Sequence, residues 1–368
     1  MIKTAVIGFG LSARVFHLPF LASNADFNLV GISTAQPDAA LCWPGVKIYT
    51  DANSLIQHTD ASLIVITAPN RTHFSLAKTA LLAGKDVLVE KPLAVTMAEA
   101  IELEKLAQQH QRKLTVFHNR RFDDDFVALQ QLMLSGQLGT VQLMYSRFDR
   151  FRPQVQARWK ESAEPGNGVL YDLAPHLLDQ AIVLFGAPDS ITASCQSLRG
   201  DTSQAAAGID YFQLRLDYQA TAALPARQVL LSSSPFCAHP APRFELHGTG
   251  GSVVSFGLDP QEQLLRSALQ QTPHQPTAVF DDAAWQQRSL QRHADIWTAS
   301  GHGTLPFTNS HYGDFYQQLA LYLQDLGPAP VALANAILGL QLIELALQSS
   351  REQRTIKTGS ASCDAGGA

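Results

Sequence analysis

Apolar and polar residues follow an alternating pattern in the N-terminal third of the chain. Up to about residue 120, short β-branched apolar runs alternate with segments of helical periodicity, which is typical of a parallel sheet built by right-handed β-α-β crossovers. A capping box at Thr96-Met-Ala-Glu99 opens one helix, and Gly84 ends another at Thr72–Ala83. The pattern predicts a doubly wound α/β domain with strands at Thr4–Ile7, Asn28–Ile32, Ser62–Thr67, Asp86–Val89 and Leu114–Phe117.

The hydrophobic pattern changes after a predicted helix at Asp124–Ser135. Beyond it, apolar and polar residues alternate in short runs, as in an antiparallel sheet with one polar face. Helices are predicted at Asp172–Phe185, Tyr312–Leu326 and Ala332–Ser349. We therefore predict an α+β domain whose large, mainly antiparallel sheet includes Val141–Phe151, Ser190–Gln196, Tyr211–Asp217, Gln228–Ser233 and Arg243–His247, with Gly248-Thr-Gly-Gly251 as a turn.

These patterns divide the chain into a dinucleotide-binding Rossmann domain at residues 1–121, an α+β domain at residues 122–358 and a disordered tail at residues 359–368. Of the 368 residues, 46% are hydrophobic and 16% are charged, which excludes an intrinsically disordered chain. The net charge of -5, without a dense Lys/Arg block, argues against nucleic acid or an anionic membrane as the main partner.

Four widely spaced cysteines indicate reduced thiols rather than a disulfide framework or a zinc site. The chain has no apolar run approaching the ~18 residues of a membrane span, and no signal-peptide cleavage pattern. We expect a cytoplasmic protein that binds small molecules.

A dinucleotide fingerprint follows the first predicted strand. Gly8-Phe-Gly10-Leu-Ser-Ala13 has the pattern G-x-G-x-x-A, in which the glycines allow a tight turn and the helix N-terminus receives a pyrophosphate. Gly8, Gly10, Leu11 and Ser12 are therefore candidate cofactor residues.

The end of the second strand bears on the choice between NAD and NADP. An NAD site usually carries an acidic residue about 20 positions beyond the fingerprint, where this chain has Ser33-Thr34. Two hydroxyls do not repel a 2′-phosphate, and Arg14 is a candidate for the basic residue missing beside them. NADP is favoured, and NAD stays open.

Candidate catalytic residues lie in two places. Glu90-Lys91-Pro92 follows the strand at Asp86–Val89, at the carboxyl edge of the sheet, where open α/β sheets bind ligands. Asp172 and His176 lie four residues apart at the predicted start of a helix, where Pro175 fits the first turn, so they share one face. A carboxylate and an imidazole so arranged can position a hydroxyl and carry its proton.

Together, Gly8-x-Gly10, Pro69-Asn70-x-x-His73, Glu90-Lys91-Pro92 and Asp172-x-x-x-His176 resemble the Gfo/Idh/MocA family of nicotinamide-dependent sugar and polyol oxidoreductases, over nearly the whole chain. Longer strings resemble the subgroup that contains NADP-dependent scyllo-inositol 2-dehydrogenase; they are Phe117–Asp123, Phe148–Gln154, Arg158-Trp159, Tyr171–Gln180 and Gly257–Glu262.

The resemblance implies residue roles. Lys91 would contact the nicotinamide and polarise the substrate or relay its proton. Asp172 and His176 would line the substrate pocket, with His176 as the general base and Asp172 orienting it. The other candidates implied are Pro69, Asn70, His73, Glu90, Asn119 and Trp159 for the cofactor, and Arg120, Arg152 and Tyr171 for the substrate. The chain departs from the family pattern at Ala13 and at Gly166-Asn167-Gly168, and the second departure puts the substrate shape in doubt.

The implied reaction is oxidation of a secondary hydroxyl, or reduction of the ketone, in a neutral polyol such as an inositol or in a cyclic sugar. Arg120, Arg152 and Arg158 keep an acidic or phosphorylated sugar open. A non-catalytic NADP sensor is the alternative, although the proton-handling residues are all present; no metal-ligand spacing supports a metal enzyme. In similar proteins the second-domain sheet supports assembly, so we expect a homodimer or homotetramer.

Overall fold

The computed structural model describes residues 1–155, 161–200, 208–275 and 277–359, and these form two units. The first unit contains Met1–Leu129, Leu258–His293 and Pro306–Ile337. The second contains Gln130–Gly257, Ala294–Leu305 and the chain from Leu338 onward. The expected division near residue 121 therefore differs from the observed one, because two later segments fold back into the first unit.

A six-stranded parallel sheet forms the first unit's centre, in the order β3-β2-β1-β4-β5-β6. This order confirms the doubly wound fold. All four residues of β4 are buried, as expected for strands covered on both faces. The three-residue β3 was not predicted because it is too short to show a period. The strands are Ile2–Ile7 (β1), Phe27–Ser33 (β2), Lys47–Tyr49 (β3), Leu63–Ile66 (β4), Asp86–Glu90 (β5) and Leu114–Phe117 (β6).

The helices are numbered along the whole chain. The predicted capping box is present, since the Thr96 hydroxyl accepts the Glu99 N–H and the Glu99 carboxylate accepts the Thr96 N–H, both at 3.2 Å. The α-helices are Leu18–Ser23 (α1), Ala39–Cys42 (α2), Ala52–His58 (α3), His73–Leu82 (α4), Met97–Gln109 (α5), Asp124–Ser135 (α6), Gly168–Phe185 (α7), Gln261–Gln271 (α8), Ala283–Gln286 (α9), Tyr312–Leu323 (α10) and Leu333–Glu352 (α11). A π-helical turn at Ala13–His17 precedes α1.

Aromatic packing explains why α10 belongs to the first unit. Tyr316 stacks on Phe20 with ring centroids 5.6 Å apart, and Phe315 meets Phe117 edge-on at 4.8 Å. These rings are buried in one core with Val6, at the centre of the parallel sheet. Burial of large aromatic rings is strongly stabilising, so the later segment completes this core.

The second unit contains a nine-stranded sheet in the order β14-β13-β12-β11-β7-β10-β9-β8-β15. The β7–β10 pair is parallel, and β8–β9, β9–β10, β7–β11 and β11–β12 are antiparallel, which confirms a mainly antiparallel sheet. α7 packs on β9 and β10. The strands are Val141–Arg147 (β7), Ser190–Gln196 (β8), Tyr211–Tyr218 (β9), Arg227–Ser233 (β10), Pro242–Gly248 (β11), Gly251–Phe256 (β12), His293–Thr298 (β13), Gly301–Pro306 (β14) and Ile356–Lys357 (β15).

Among the described residues, no helix combines the length and the apolar character that crossing a membrane requires. Apart from Gly359, the tail that the sequence analysis expected to be disordered lies outside the described residues.

Candidate functional site

The fingerprint turn joins β1 to the first helix through two glycines with different surroundings. Gly8 has φ +103°, and a Cβ there would lie 2.6 Å from Thr67 Oγ1 and 3.1 Å from the Thr67 carbonyl oxygen. A Cβ at Gly10 would meet no protein atom within 4 Å. Gly8 thus permits the close approach of β1 to the loop after β4, whereas Gly10 leaves space at the helix start. That open space fits the pyrophosphate of a dinucleotide.

The end of β2 carries the predicted selectivity residues. Ser33 is buried, and Thr34 begins a turn in which its hydroxyl accepts the Gln36 N–H at 3.0 Å. The Arg14 guanidinium reaches the loop that follows, where Nη1 lies 3.4 Å from Asp38 Oδ2. The Arg14 guanidinium therefore lies near the end of β2, but the Asp38 carboxylate already contacts it.

The loop after β4 contains Pro69 and Asn70, which open a 3-10 turn. His73 follows and is fully buried, with Nδ1 2.7 Å from the Pro92 carbonyl oxygen and Nε2 2.9 Å from the Ala68 carbonyl oxygen. Burial lowers the pKa of His73. Because both ring nitrogens face backbone carbonyls, His73 holds the loops after β4 and β5 together, and its contact with the cofactor stays a prediction.

Glu90, Lys91 and Pro92 follow β5, and the Lys91–Pro92 peptide is cis. Glu90 Oε1 contacts the Ser12 hydroxyl and lies 3.0 Å from His17 Nε2, while Oε2 accepts the Lys91 N–H at 3.1 Å. Burial favours a higher pKa for Glu90, but the hydrogen bonds and charges of its neighbours, His17 first, lower that pKa to about 2. The ionised Glu90 therefore ties the Lys91 backbone to the fingerprint helix.

Asn119 and Arg120 lie in a buried 3-10 turn after β6. Arg120 Nη1 donates to Asp123 Oδ2 at 3.1 Å, and Nη2 donates to Glu262 Oε2 at 2.8 Å. Burial would lower the pKa of Arg120, but the charge of Asp123 and its other neighbours raises that pKa above its ordinary value. Two carboxylates already balance this cation, so Arg120 is poorly suited to clamp an anionic substrate.

Asp172 and His176 lie in α7, which begins at Gly168 instead of the predicted Asp172. Gly168 has φ +86°, and a Cβ there would lie 2.7 Å from the Ile209 carbonyl oxygen, so a residue with a side chain is excluded sterically. The prediction that Pro175 occupies the first turn is wrong, since Pro175 lies inside the helix. Its ring removes the N–H that would bond the Tyr171 carbonyl.

Within α7, the spacing of four residues places Asp172 and His176 on one helix face. His176 is 7% exposed. Tyr171 is half-buried, and burial followed by the charge of Glu344 raises the pKa of its phenol. The predicted carboxylate–imidazole pair thus occupies the second and third turns of a rigid helix.

Two further candidates lie before α7. Arg152 is exposed, and its N–H donates to the Pro235 carbonyl at 2.7 Å. Arg158 and Trp159 lie outside the described residues, so their roles stay predictions. The described part of the chain contains no group of three or more His, Cys, Asp and Glu side chains that could hold a metal ion.

The sequence analysis missed two residues behind Glu90. His17 is fully buried, and its Nδ1 lies 2.9 Å from the Tyr316 hydroxyl oxygen. A histidine between the apolar residues Phe16 and Leu18 was the available signal for a buried polar contact. Nothing near Tyr316 in the sequence marks it, because its partner lies 299 positions earlier.

Comparison with known proteins agrees with this geometry. The model of the oxidoreductase family's NAD-binding Rossmann fold matches residues 2–118, and that of the family's C-terminal alpha/beta domain matches residues 130–358. The chain is 38% identical to the uncharacterized oxidoreductase YdgJ of Escherichia coli over 96% of this chain and 98% of that protein.

A second relative is the scyllo-inositol 2-dehydrogenase (NADP(+)) IolW of Bacillus subtilis, 30% identical over 96% of this chain and 95% of that protein. Among solved structures, an oxidoreductase from Bacillus cereus matches with a TM-score of 0.82 and 27% identity, over 97% of this chain and 98% of that one.

Proposed function

Because the chain belongs to the Gfo/Idh/MocA family of oxidoreductases, with a nicotinamide-cofactor-binding Rossmann domain, we propose that it is a dehydrogenase acting on a secondary hydroxyl or ketone of a neutral polyol or cyclic sugar. The observation that carries this proposal is the tie from the fingerprint helix through Glu90 to the Lys91 backbone. It holds an amine-bearing residue at the carboxyl edge of the sheet, where this class of fold binds its cofactor. Scyllo-inositol is the first substrate to test, because one relative is named for it.

Oxidation of a secondary alcohol removes a hydride from carbon and a proton from oxygen. A bound nicotinamide dinucleotide supplies the redox chemistry. Its pyrophosphate would be held by Gly8, Gly10 and Ser12. Its nicotinamide side would be held by Asn70 and Asn119. We assign proton transfer to the protein: the His176 imidazole accepts the hydroxyl proton and Asp172 orients His176.

Lys91 has a different role in this proposal. Its ammonium donates a hydrogen bond to the reacting oxygen and stabilises the negative charge that develops there. In the reductive direction, the protonated His176 returns the proton to the alkoxide oxygen.

A preference for NADP rests on Ser33, Thr34 and Arg14. The two hydroxyl residues place no carboxylate at the usual NAD-selecting position, and the Arg14 guanidinium lies in contact with the following loop. Asp38, which contacts Arg14, is the competing anion that a 2′-phosphate would displace.

A neutral substrate fits the charges of the described residues better than an acidic one. Asp123 and Glu262 neutralise Arg120, so its charge is not free for a carboxylate or phosphate. This supports a polyol or unmodified sugar over the acidic sugar that the sequence left open.

The test is the absorbance change at ~340 nm with NADP and, in parallel, NAD, against inositols, aldoses and sugar acids, since reduced nicotinamide absorbs there. We expect NADP-selective oxidation of scyllo-inositol or a close polyol. NADP binding without turnover on any member of the panel would contradict the enzyme proposal and favour the sensor alternative.

Lys91→Ala tests the proposed chemistry directly. We expect kcat to fall by about 10²–10⁴-fold, in the range of a lost polar catalytic group, while the Kd for NADP changes little. The matched control is Lys78→Ala, which removes a half-exposed lysine paired with Glu102 and should leave kcat unchanged. Unchanged turnover in the Lys91 variant would remove Lys91 from the mechanism.

A further inference from the structure

A continuous chain of hydrogen bonds lies behind the Lys91 backbone, entirely within the first unit. Glu90 accepts from Ser12, His17 and the Lys91 N–H. On its other side, His17 contacts the Tyr316 hydroxyl, and that hydroxyl donates to the Phe16 carbonyl at 2.8 Å. His17 and Tyr316 are fully buried, so each polar atom in this chain needs a partner from the protein.

Both ring nitrogens of His17 are engaged in this chain. Burial, then the charge of Glu90, raises the pKa of Tyr316 well above its ordinary value, so the phenol keeps its proton. The ionised Glu90 only accepts hydrogen bonds, so His17 Nε2 donates to it. The Tyr316 hydroxyl lies 2.9 Å from the other ring nitrogen, Nδ1. The His17 ring is therefore held from both sides, by a carboxylate and by a phenol.

The hydrogen bond from His17 has a consequence for Lys91. It is the largest of the contributions that lower the pKa of Glu90, and an ionised carboxylate accepts more hydrogen bonds than a neutral carboxylic acid. With Oε1 held by His17 and Ser12, Oε2 of the same carboxylate accepts from the Lys91 N–H. The orientation of Glu90, and with it the backbone of Lys91, therefore depends on His17.

We propose that His17 is a positioning residue: hydrogen-bonded between Tyr316 and Glu90, it holds the Glu90 carboxylate and so sets the position of Lys91 relative to the dinucleotide turn. This inference rests on the proposed function, in which Lys91 acts on the reacting oxygen. It adds α10, whose Tyr316 lies 299 positions from His17, to the elements that position the proposed site.

Tyr316→Phe is the central test, because it removes the hydroxyl that contacts His17 Nδ1 while keeping the ring in the core. We expect kcat to fall about tenfold or more, since small displacements of a catalytic group act on the transition state. The substrate KM and the Kd for NADP should change less than about threefold, because ground-state contacts remain.

Tyr312→Phe is the matched control. Tyr312 lies on the same helix, is equally buried, and donates to Asp123 Oδ1 at 3.1 Å, so its hydroxyl is bound to Asp123 and not to His17 or Glu90. Both variants should lower the Tm, but only Tyr316→Phe should lower kcat. An equal fall in kcat for both variants, or unchanged kcat in Tyr316→Phe, would overturn the positioning role.

A second readout needs no turnover and no cofactor. In ¹⁵N-histidine-labelled protein, assigned with a His17→Gln variant, Tyr316→Phe should shift the His17 Nδ1 resonance, because that nitrogen loses its hydrogen-bond partner, whereas Tyr312→Phe should leave it in place. Unchanged His17 resonances in Tyr316→Phe would overturn the inference. Absence of wild-type activity on the substrate panel would instead count against the proposed function, and the NMR result would still decide whether His17 is bound to Tyr316.

Discussion

Gly8 and Gly10 of the fingerprint lack a side chain for different physical reasons. Gly8 is required by the protein itself, because its φ is positive and Thr67 occupies the place of a side chain. Gly10 is not restricted by any neighbouring protein atom, so its lack of a side chain matters for what binds there. The sequence pattern treats the two alike, and the structure separates them.

Alanine substitutions at these glycines should therefore have opposite effects. Gly8→Ala should lower the free energy of unfolding by about 1–3 kcal/mol, because it combines backbone strain with a contact against Thr67. Gly10→Ala should leave the Tm nearly unchanged and weaken NADP binding about tenfold or more by filling the pyrophosphate space. Thermal unfolding and a fluorescence titration with NADPH measure the two effects. Equal Tm values for both variants would contradict this division.

At the scale of the element, the position where α7 begins depends on the contact between its first residue and the backbone of Ile209. Gly168 lies against the Ile209 backbone, and the Val169 N–H donates to the Ile209 carbonyl at 2.6 Å. These contacts fix the start of the helix that carries Asp172 and His176. Gly168 is thus a positioning residue for the proposed catalytic pair.

Gly168→Ala should displace the start of α7 and reduce kcat, because the added Cβ meets backbone atoms that cannot turn away. The control is Gly186→Ala at the other end of α7, where φ is +77° but a Cβ would meet nothing within 4 Å. Both should lose about 1 kcal/mol from left-handed strain. Gly168→Ala should lose more than that because of the backbone contact, and only this variant should lose kcat. Steady-state kinetics beside urea unfolding distinguishes these effects; equal kcat values would argue against a positioning role for this contact.

At the scale of the whole molecule, a buried ionic network joins the first unit's separate chain segments. Arg292 contacts Asp124, whose backbone N–H donates to Asp259 at 2.7 Å. Asp123 pairs with Arg120 and accepts from Tyr312. Buried charges are stable only when paired and hydrogen-bonded. The segments Leu258–His293 and Pro306–Ile337 are therefore held in the first unit by specific ionic contacts as well as by hydrophobic packing.

Asp259 gives this network a pH dependence. Burial, then the charges of Asp123 and Asp124, raises its pKa to about 7. An unfolded Asp has a pKa of about 3.9, so from about pH 4 to 7 the folded state binds more protons than the unfolded state. The free energy of unfolding should therefore fall as pH rises through this window, by at most ~4 kcal/mol, and become flat above it.

Asp259→Asn removes this titration and should make the stability less dependent on pH. An amide also loses the bond from the Gln261 N–H, but that loss shifts stability equally at every pH. In urea unfolding from about pH 5 to 8, the free energy of unfolding of the wild type relative to Asp259→Asn should decrease as pH rises. The control Asp60→Asn changes an exposed carboxylate with a lowered pKa and should not alter the slope over that range. Parallel curves for wild type and Asp259→Asn would rule out this titration.

The sequence predicted the fold class, and its candidate catalytic and binding residues stay predictions. Five of the six strands of the first sheet, the capping box at Thr96 and the turn at Gly8 occur as predicted, because each depends on residues only a few positions apart. The predicted start of α7 was wrong. Glycine at the first position and Pro175 inside the helix are both unusual in a helix, so the sequence pattern placed the start too late. The prediction that residues 122–358 form one domain differs from the structure. Nothing in the sequence of α10 indicates that its aromatic residues pack in the core of the first unit.

By itself, the sequence determined the two sheet types and the dinucleotide turn, and it proposed Lys91, Asp172 and His176 as residues with suitable chemistry. Only the tertiary structure decided that His73 and Glu90 hold loops together, that Arg120 is already neutralised, and that His17 lies between Tyr316 and Glu90. Periodicity and caps act between neighbours in the chain, so they can be read from a string of residues. Charge balance and hydrogen-bond partners depend on distance in space, and here they join Arg120 to a residue 142 positions away and His17 to one 299 positions away.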